Sequence, residues 1–262
     1  MSINPIFQRL TLLLGEEPLH HLRDSRAFVF GLGGVGSWCA EGLVRSGIGT
    51  IVIVDSDTVC VTNVNRQLQA TYKNIGESKV FELKKRLEDI NPFCKIIPMQ
   101  EVYSKENSGL FDIKPDDYVI DAIDSLTYKL DLIEHAVSVG AHFFASMGAA
   151  SKLDPTQFKV ADIWKTSGCP LARLVRTGLR KRGFTGHFLA VYSTENLPRK
   201  EGTEVSCGTS KCLCSSVHNP DAKEWCSSKK VINGSAVHVT ATAGMILCAL
   251  VVQDAVERGK SL

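Results

Sequence analysis

The sequence predicts an α/β protein, a mostly parallel sheet with helices on both faces and a smaller C-terminal elaboration. Three observations predict it. Through the first 155 residues, short β-rich runs alternate with segments of helical period. The first run ends on Gly31-Leu32-Gly33-Gly34-Val35-Gly36, a glycine pattern that belongs between a strand and a helix. A chain of 262 residues, 44% hydrophobic and 22% charged, suits one large domain with an appendage and excludes wholesale disorder, a collagen-like chain and a membrane bundle.

Each element follows from local signals. Asn4 and Pro5 fit the cap and first position of a helix over Ile6 to Leu14, and the N-terminus lacks the charged start, apolar core and cleavage site of a secretory signal. Strands are expected at Ala27 to Phe30, Thr50 to Val54, Lys95 to Pro98, Tyr118 to Ile120 and His142 to Ala145. Helices are expected at Gly34 to Ser46, Ser78 to Ile90 and Leu126 to Val139, with Gly47 and Gly140 placed to stop two of them. After Pro155 the alternation blurs into a strand at Gln157 to Ala161, a helix at Leu171 to Arg182 and a strand at Phe188 to Tyr192. Gly202 to Lys230 reads as an irregular insert rich in Ser and Cys. Ala236 to Val256 is long and apolar, but His238, Thr240, Thr242, Gln253 and Asp254 interrupt it, which favours a buried helix over a bilayer span. The expected division is therefore a nucleotide-binding part over residues 1–155 and a C-terminal elaboration over 156–262.

The glycines carry the first chemistry. Gly31 permits a tight turn, Gly33 close approach of the backbone to phosphates, and Gly36 close packing of helix on strand, the signature of a Rossmann-like nucleotide site. Asp55 ends the next strand nineteen residues after Gly36, where a carboxylate accepts hydrogen bonds from a ribose. Three packing glycines and a strand-ending acid would give the same letters. No G-x-x-x-x-G-K-[ST] occurs, so a P-loop ATPase is unsupported. An NAD-dependent dehydrogenase is the first guess, but Asn63, Arg66, Gln67 and Lys79 crowd the region that would hold a neutral nicotinamide. They include donors suited to a triphosphate chain. Asp124, just past the strand ending near Ile120, is a carboxylate suited to Mg²⁺. Judged singly, these residues also fit a solvated ion-pair cluster.

Taken in order, Phe7-Gln8-Arg9, Gly31 to Gly36, Asp55 to Gln67, Lys79 and Asp124 resemble the ThiF-type adenylating family, which includes the enzymes that activate ubiquitin-like proteins. The resemblance implies that Asp55 holds the ribose, that Asn63, Arg66 and Lys79 hold the phosphates, and that Asp124 holds magnesium, with Gly31, Gly33, Gly34, Gly36, Asp57 and Gln67 completing the ATP site. It further implies that Arg9 acts across a homodimer interface, making Arg9, Arg66, Lys79 and Asp124 the catalytic set. Gly33 to Trp38, Ser46 to Gly49, Val59 to Asn63, Val119 to Ser125, Asp154 to Gln157 and Lys165-Thr166 before Pro170-Leu171 are similar to the branch that dehydrates threonylcarbamoyladenosine in tRNA. The match runs from Phe7 to Glu195 and is loose beyond, apart from the Gly234-Ser235 turn and the final apolar helix. Cys169 stands where that branch has an acid before its Pro-Leu pair, which removes any metal or hydrogen-bond role of that acid.

The branch implies ATP-dependent cyclisation of the threonylcarbamoyl group through an adenylated carboxylate, and a tRNA partner. The net charge of +2 gives no global field for nucleic acid, so a local patch is needed. Between Arg173 and Lys200 seven Lys or Arg face one acid, Glu195. Arg173, Arg176 and Arg180 share a helix face, opposite an apolar face of Leu171, Leu174, Val175 and Leu179, and Lys181 and Arg182 extend the basic run. A solvated helix face has the same composition.

The nine cysteines, odd in number and unevenly spaced, favour a reducing compartment, here the cytoplasm. Cys207, Cys212, Cys214 and Cys226 supply four soft ligands at C-x4-C-x-C-x11-C, which leaves three readings: zinc, four free thiols, or one reactive thiolate beside Lys211. Cys39, Cys60 and Cys248 lie on apolar elements as core fillers. Two rival functions remain at this point: an adenylyltransferase acting on a sulfur-carrier or ubiquitin-like protein tail, and a nucleotide-binding scaffold without activity. The first would bring a carrier or sulfur-transfer protein partner.

Overall fold

The structure is a computed structural model, and it describes residues 4–195, 197 and 233–259. Its sheet has seven strands: β1 (Arg26–Phe30), β2 (Thr50–Val54), β3 (Lys95–Met99), β4 (Tyr118–Asp121), β5 (His142–Ser146), β6 (Phe158–Asp162) and β7 (Leu189–Ser193). Their order is β3-β2-β1-β4-β5-β7-β6. Every pairing is parallel except β6 with β7, so the elaboration contributes an antiparallel edge to the same sheet. Both halves wind outward from β1 and β4, and that reversal opens a crevice at the carboxyl ends of these two strands. Pro98 is tolerated because β3 is the other edge, where a missing N–H breaks no central ladder.

The helices are α1 (Gln8–Leu14), α2 (Glu16–Asp24), α3 (Gly36–Arg45), α4 (Lys79–Ile90), α5 (Leu126–Ser138), α6 (Pro170–Lys181) and α7 (Val237–Gly259). The expected N-terminal helix is two pieces: Asn4 caps a short 3-10 turn at Pro5–Phe7, α1 follows, and Gly15 at φ +83° turns the chain into α2. The sequence reading had no α2, whose nine residues carry only Leu19 and Leu22 into the core behind an internal Pro18. The helix expected from Gly34 starts at Gly36, because the glycine loop keeps its own turn.

One face of the sheet buries Val29, Ile51, Ile53 and Ile120 under α3, α4 and α7. The other buries Phe28, Phe30, Val119 and Phe143 under α5 and α6. The long apolar helix α7 has the length and composition of a membrane span, yet it packs on α2 and α3 and half of its apolar window is buried, as expected for a core helix. Gly244 lets α7 approach: a Cβ there would lie 2.4 Å from the Val35 carbonyl oxygen. Cys39, Cys60 and Cys248 are buried fillers, as expected.

A candidate nucleotide site at the strand reversal

The loops after β1, β2 and β4 are laced together where the strand order reverses. Gly31 donates its N–H to the Val54 carbonyl (2.8 Å), and Ala122 donates to that of Phe30 (2.9 Å). Gly31 sits at φ +86°, and a Cβ on it would lie 2.8 Å from the Ala122 oxygen. Gly36 admits no side chain either, since its Cβ would fall 1.9 Å from the Gly31 oxygen. Gly33 differs, because nothing lies within 4 Å of its Cβ position. Two of the glycines thus shape the loop, while Gly33 faces open space that a ligand can approach. Gly34 packs against Thr240 of α7 and the Arg66 stem.

Asp55 leaves β2 and caps this loop: its carboxylate accepts from Leu32 N–H (2.6 Å) and Asp57 N–H (2.9 Å). Lys79, at the start of α4, reaches back with Nζ 2.7 Å from an Asp57 oxygen and 3.6 Å from an Asp55 oxygen. Burial raises the Asp55 carboxyl above its ordinary value, against the opposing pull of Lys79. Burial disfavours the Lys79 charge, but Asp55, Asp57 and more weakly Asp124 outweigh it and hold the ammonium above the usual lysine value. Lys79 is therefore a buried, charged donor held by Asp57 and Asp55, with Asp124 as a weaker electrostatic neighbour.

The segment after Asp57 supplies the remaining donors. Asn63 accepts from Cys60 N–H (2.9 Å), which leaves its amide nitrogen as the donating end. Trp38 Nε1 holds the Arg66 carbonyl (3.0 Å), while the Arg66 guanidinium reaches the Thr62 carbonyl and the Asn65 side chain. Gln67 is buried with its side-chain oxygen unpartnered, so it offers an acceptor to a ligand hydroxyl or amine. A cleft of about 700 Å³ lies between α4 and residues 68–77, but none of Asp55, Asn63, Arg66, Gln67 and Lys79 lines it.

Beneath the crevice lies a pair that the sequence reading missed. Lys129 and Asp121, both fully buried, meet at 2.8 Å, and Lys129 also donates to the Ser146 carbonyl (3.1 Å). Burial raises the Asp121 carboxyl while Lys129 opposes the rise. This pair ties β4, α5 and β5 together directly under the turn that carries Asp124. Its only signal was an i, i+8 relation across a helix cap, and no spacing rule singles that out.

Elsewhere the expected residues divide. Arg173, Arg180 and Lys181 are exposed on α6, with Arg180 over the Trp164 ring at 5.4 Å. Arg176 is half-buried and donates to Thr166. Arg182 does not continue the stripe as a free charge, because it binds Asp131 (2.6 Å) and Glu134 (2.7 Å) of α5. Leu174 is corrected from the apolar face to the solvent face, 48% exposed, since the buried row is Ala172, Val175 and Leu179. Cys169 is buried at the start of α6 and makes no side-chain cap bond. Arg9 is exposed on α1, whose Ile6, Leu12 and Leu13 neighbours are also exposed. Among the described residues no group of three or more His, Cys, Asp or Glu is placed to hold a metal ion. Cys207, Cys212, Cys214, Cys226, Arg199 and Lys200 lie outside the described residues.

Comparisons with known proteins bear on this site. The ThiF family profile matches residues 7–257. A Bacillus subtilis (strain 168) protein named tRNA threonylcarbamoyladenosine dehydratase is 40% identical over 249 residues, covering 95% of this chain and 93% of its own. The solved structure of the Escherichia coli tRNA N6-threonylcarbamoyladenosine dehydratase in complex with ATP superposes with a TM-score of 0.80 at 30% identity, covering 100% of this chain and 99% of its own. A Thermus thermophilus sulfur carrier protein adenylyltransferase is 32% identical over 127 residues, only 48% of this chain and 46% of its own.

Proposed function

The chain belongs to the ThiF family, and from that premise we infer that it catalyses the ATP-dependent dehydration of N6-threonylcarbamoyladenosine in tRNA through an adenylated carboxylate. The observation that carries this reading is end-to-end similarity to threonylcarbamoyladenosine dehydratases, against half-length similarity to a carrier-protein adenylyltransferase. The described site suits the chemistry. Hydroxide is a poor leaving group, so removing water in water requires an activated carboxyl. The threonyl carboxylate displaces pyrophosphate from the α-phosphorus, and the neighbouring carbamoyl group closes on the acyl carbon as AMP departs with the carboxyl oxygen and a proton is released. The ring closure is intramolecular, where proximity supplies up to about 7–11 kcal/mol.

In this reading Asp55 anchors the ribose, the Gly31 to Gly36 backbone with Asp57 and Gln67 frames the nucleotide, and Asn63, Arg66 and Lys79 hold the phosphates. Lys79 and Arg66 stabilise the charge that grows on the departing pyrophosphate. Asp124 is the magnesium-binding carboxylate. A single hard carboxylate fits Mg²⁺, which takes one or two carboxylates and completes its shell with phosphate oxygens and water. The ion would supply further neutralisation of the phosphate charge.

The elaboration over residues 156–262 adds tRNA recognition to the ATP-binding work of residues 1–155. Arg173, Arg176, Arg180 and Lys181 form the phosphate-facing edge, with Arg182 bracing α6 on α5. The exposed apolar residues of α1 support docking on a second copy of the chain, which would carry Arg9 towards the partner's site in a cytoplasmic homodimer. The test is pyrophosphate release with tRNA bearing the threonylcarbamoyl group, with unmodified tRNA and with a small carrier protein. Release with the first alone supports the reading. Release with the carrier alone replaces it by the adenylyltransferase, and no release with any leaves a scaffold.

A further inference from the structure

Lys152 is a buried cation that the reaction as described does not use. It follows β5 in the segment beyond Ser146, on the strand next to β4, and is only 5% exposed. Its ammonium donates to the Glu195 carbonyl, and among the described residues no carboxylate forms an ion pair with it. A buried ammonium satisfied by one neutral carbonyl keeps donors and charge in reserve, an arrangement that is costly unless an anion completes it. The Glu195 carboxylate makes no ion pair with it; its Oε2 instead accepts from the Leu153 and Asp154 N–H groups (2.9 and 3.0 Å).

The backbone holds this lysine in place at some cost. Ser151 sits at φ +57°, in the left-handed region that a residue with a Cβ adopts only when its surroundings demand it. Those surroundings are visible: Ser151 N–H donates to the Gly234 carbonyl (2.8 Å), Leu197 N–H donates to the Ser151 carbonyl (3.3 Å), and the His238 ring contacts the Leu153 carbonyl (2.9 Å). The same 234–240 stretch reaches the phosphate side, since Asn65 donates to the Ser235 carbonyl (2.9 Å) and Thr240 packs on Gly34. Lys152 is thus fastened through the entry of α7 to the loop that carries Arg66, on the side of the crevice away from Asp55.

We propose that Lys152 binds the carboxylate of the threonylcarbamoyl side chain and presents it to the nucleotide. The nucleotide's own anions already have the glycine loop, Arg66 and Lys79. The acceptor must bring one carboxylate to the nucleotide from another side, and Lys152, beyond the carboxyl end of β5 beside β4, is a buried charged donor on that side. The proposal rests on the dehydratase reading and makes Lys152 the residue that distinguishes modified from unmodified tRNA.

The test measures binding, with a non-hydrolysable ATP analogue present so that no turnover occurs. Three ligands are compared on the wild-type protein: threonylcarbamoyl tRNA, the same tRNA with its side-chain carboxylate converted to the neutral amide, and unmodified tRNA. The expected result is at least tenfold tighter binding of the carboxylate form than of either other ligand. Equal affinity for the acid and the amide overturns the proposal. No preference of the wild type for acid or amide over unmodified tRNA instead overturns the dehydratase reading. Lys152→Gln is expected to abolish the preference for the acid over the amide at unchanged affinity for the ATP analogue, and Lys152→Arg to restore it. A Lys152→Gln protein that keeps the preference also overturns the assignment. If that variant does not fold, Lys152→Met is read in its place, with the same expected and overturning results.

Discussion

Gly33 and Gly36 lie three residues apart in one loop, and the structure predicts opposite consequences for the same substitution. In Gly36→Ala the new Cβ falls 1.9 Å from the Gly31 carbonyl oxygen and 3.2 Å from the Ala122 Cβ, where a carbon and a carbonyl oxygen ordinarily stay about 3.3 Å or more apart. Neither neighbour is a flexible side chain, so α3 must shift off β1. Such overpacking costs about 1–3 kcal/mol, offset by at most about 1 kcal/mol of helix propensity. A net loss of about 1–2 kcal/mol corresponds to a fall in Tm of roughly 2–8 °C for a chain of this size. In Gly33→Ala the Cβ meets nothing within 4 Å, and Gly33 is not among the glycines with positive φ. Stability should hold, or rise by about 0.4–1 kcal/mol through the unfolded chain. The phosphates, however, need that space, and ATP affinity should fall at least tenfold, about 1.4 kcal/mol. Thermal melts and calorimetric ATP titration of both variants separate the two effects. Wild-type ATP affinity in Gly33→Ala would refute the placement of phosphates at this loop, and wild-type stability in Gly36→Ala would refute the packing argument.

Three further outcomes follow from the same geometry. Asp124→Ala should abolish adenylation, read as pyrophosphate release, with the melting temperature within about 2 °C of wild type, as expected for a ligand-binding carboxylate outside the core. Replacing Arg173, Arg176 and Arg180 by Glu should weaken tRNA binding and flatten its salt dependence by roughly 0.7–0.9 per lost phosphate contact, whereas Arg182→Gln should leave the slope unchanged and lower stability, because Arg182 binds Asp131 and Glu134. Acidification should destabilise the base of α7. Burial depresses His142 below its ordinary value of 6.5, with Asp254, Arg258, Asp116 and His21 as its charged or titratable surroundings, and Arg258 points a guanidinium N–H at its Nδ1 (3.1 Å). A depressed pKa means that the unfolded chain takes up the proton first, so this stability is complete above pH 6.5 and is lost as pH falls towards the folded value. Melts across about pH 5 to 8 should show that loss reduced in His142→Asn, and an unchanged profile would remove His142 from the account.

The parts of this protein that were legible in its sequence are those fixed by local rules. The strand–glycine–helix unit, Asp55 after β2, and Gly47 and Gly140 at helix ends each depend on residues close in the chain, and each lies where expected. The apolar stripe of α6 was read one row too wide, since Leu174 looks like its neighbours and only packing against α5 shows that it faces solvent. The residues that escaped notice act through distant partners. Lys129 meets Asp121 across β4 and α5, and Lys152 meets Glu195, so neither was singled out, while Arg182, read as part of the basic run, meets Asp131 and Glu134. The near-neutral total likewise gave no sign that Lys79 would be buried among acids beside an exposed basic helix.

The central claim is the reaction itself, and the product decides it. The protein is incubated with ATP and tRNA carrying threonylcarbamoyladenosine, and the nucleosides are then analysed by mass. The account predicts a modified adenosine lighter by one water, formed in step with AMP and pyrophosphate and absent without ATP. Unchanged threonylcarbamoyladenosine, with pyrophosphate released only when a carrier protein tail is supplied, would contradict it.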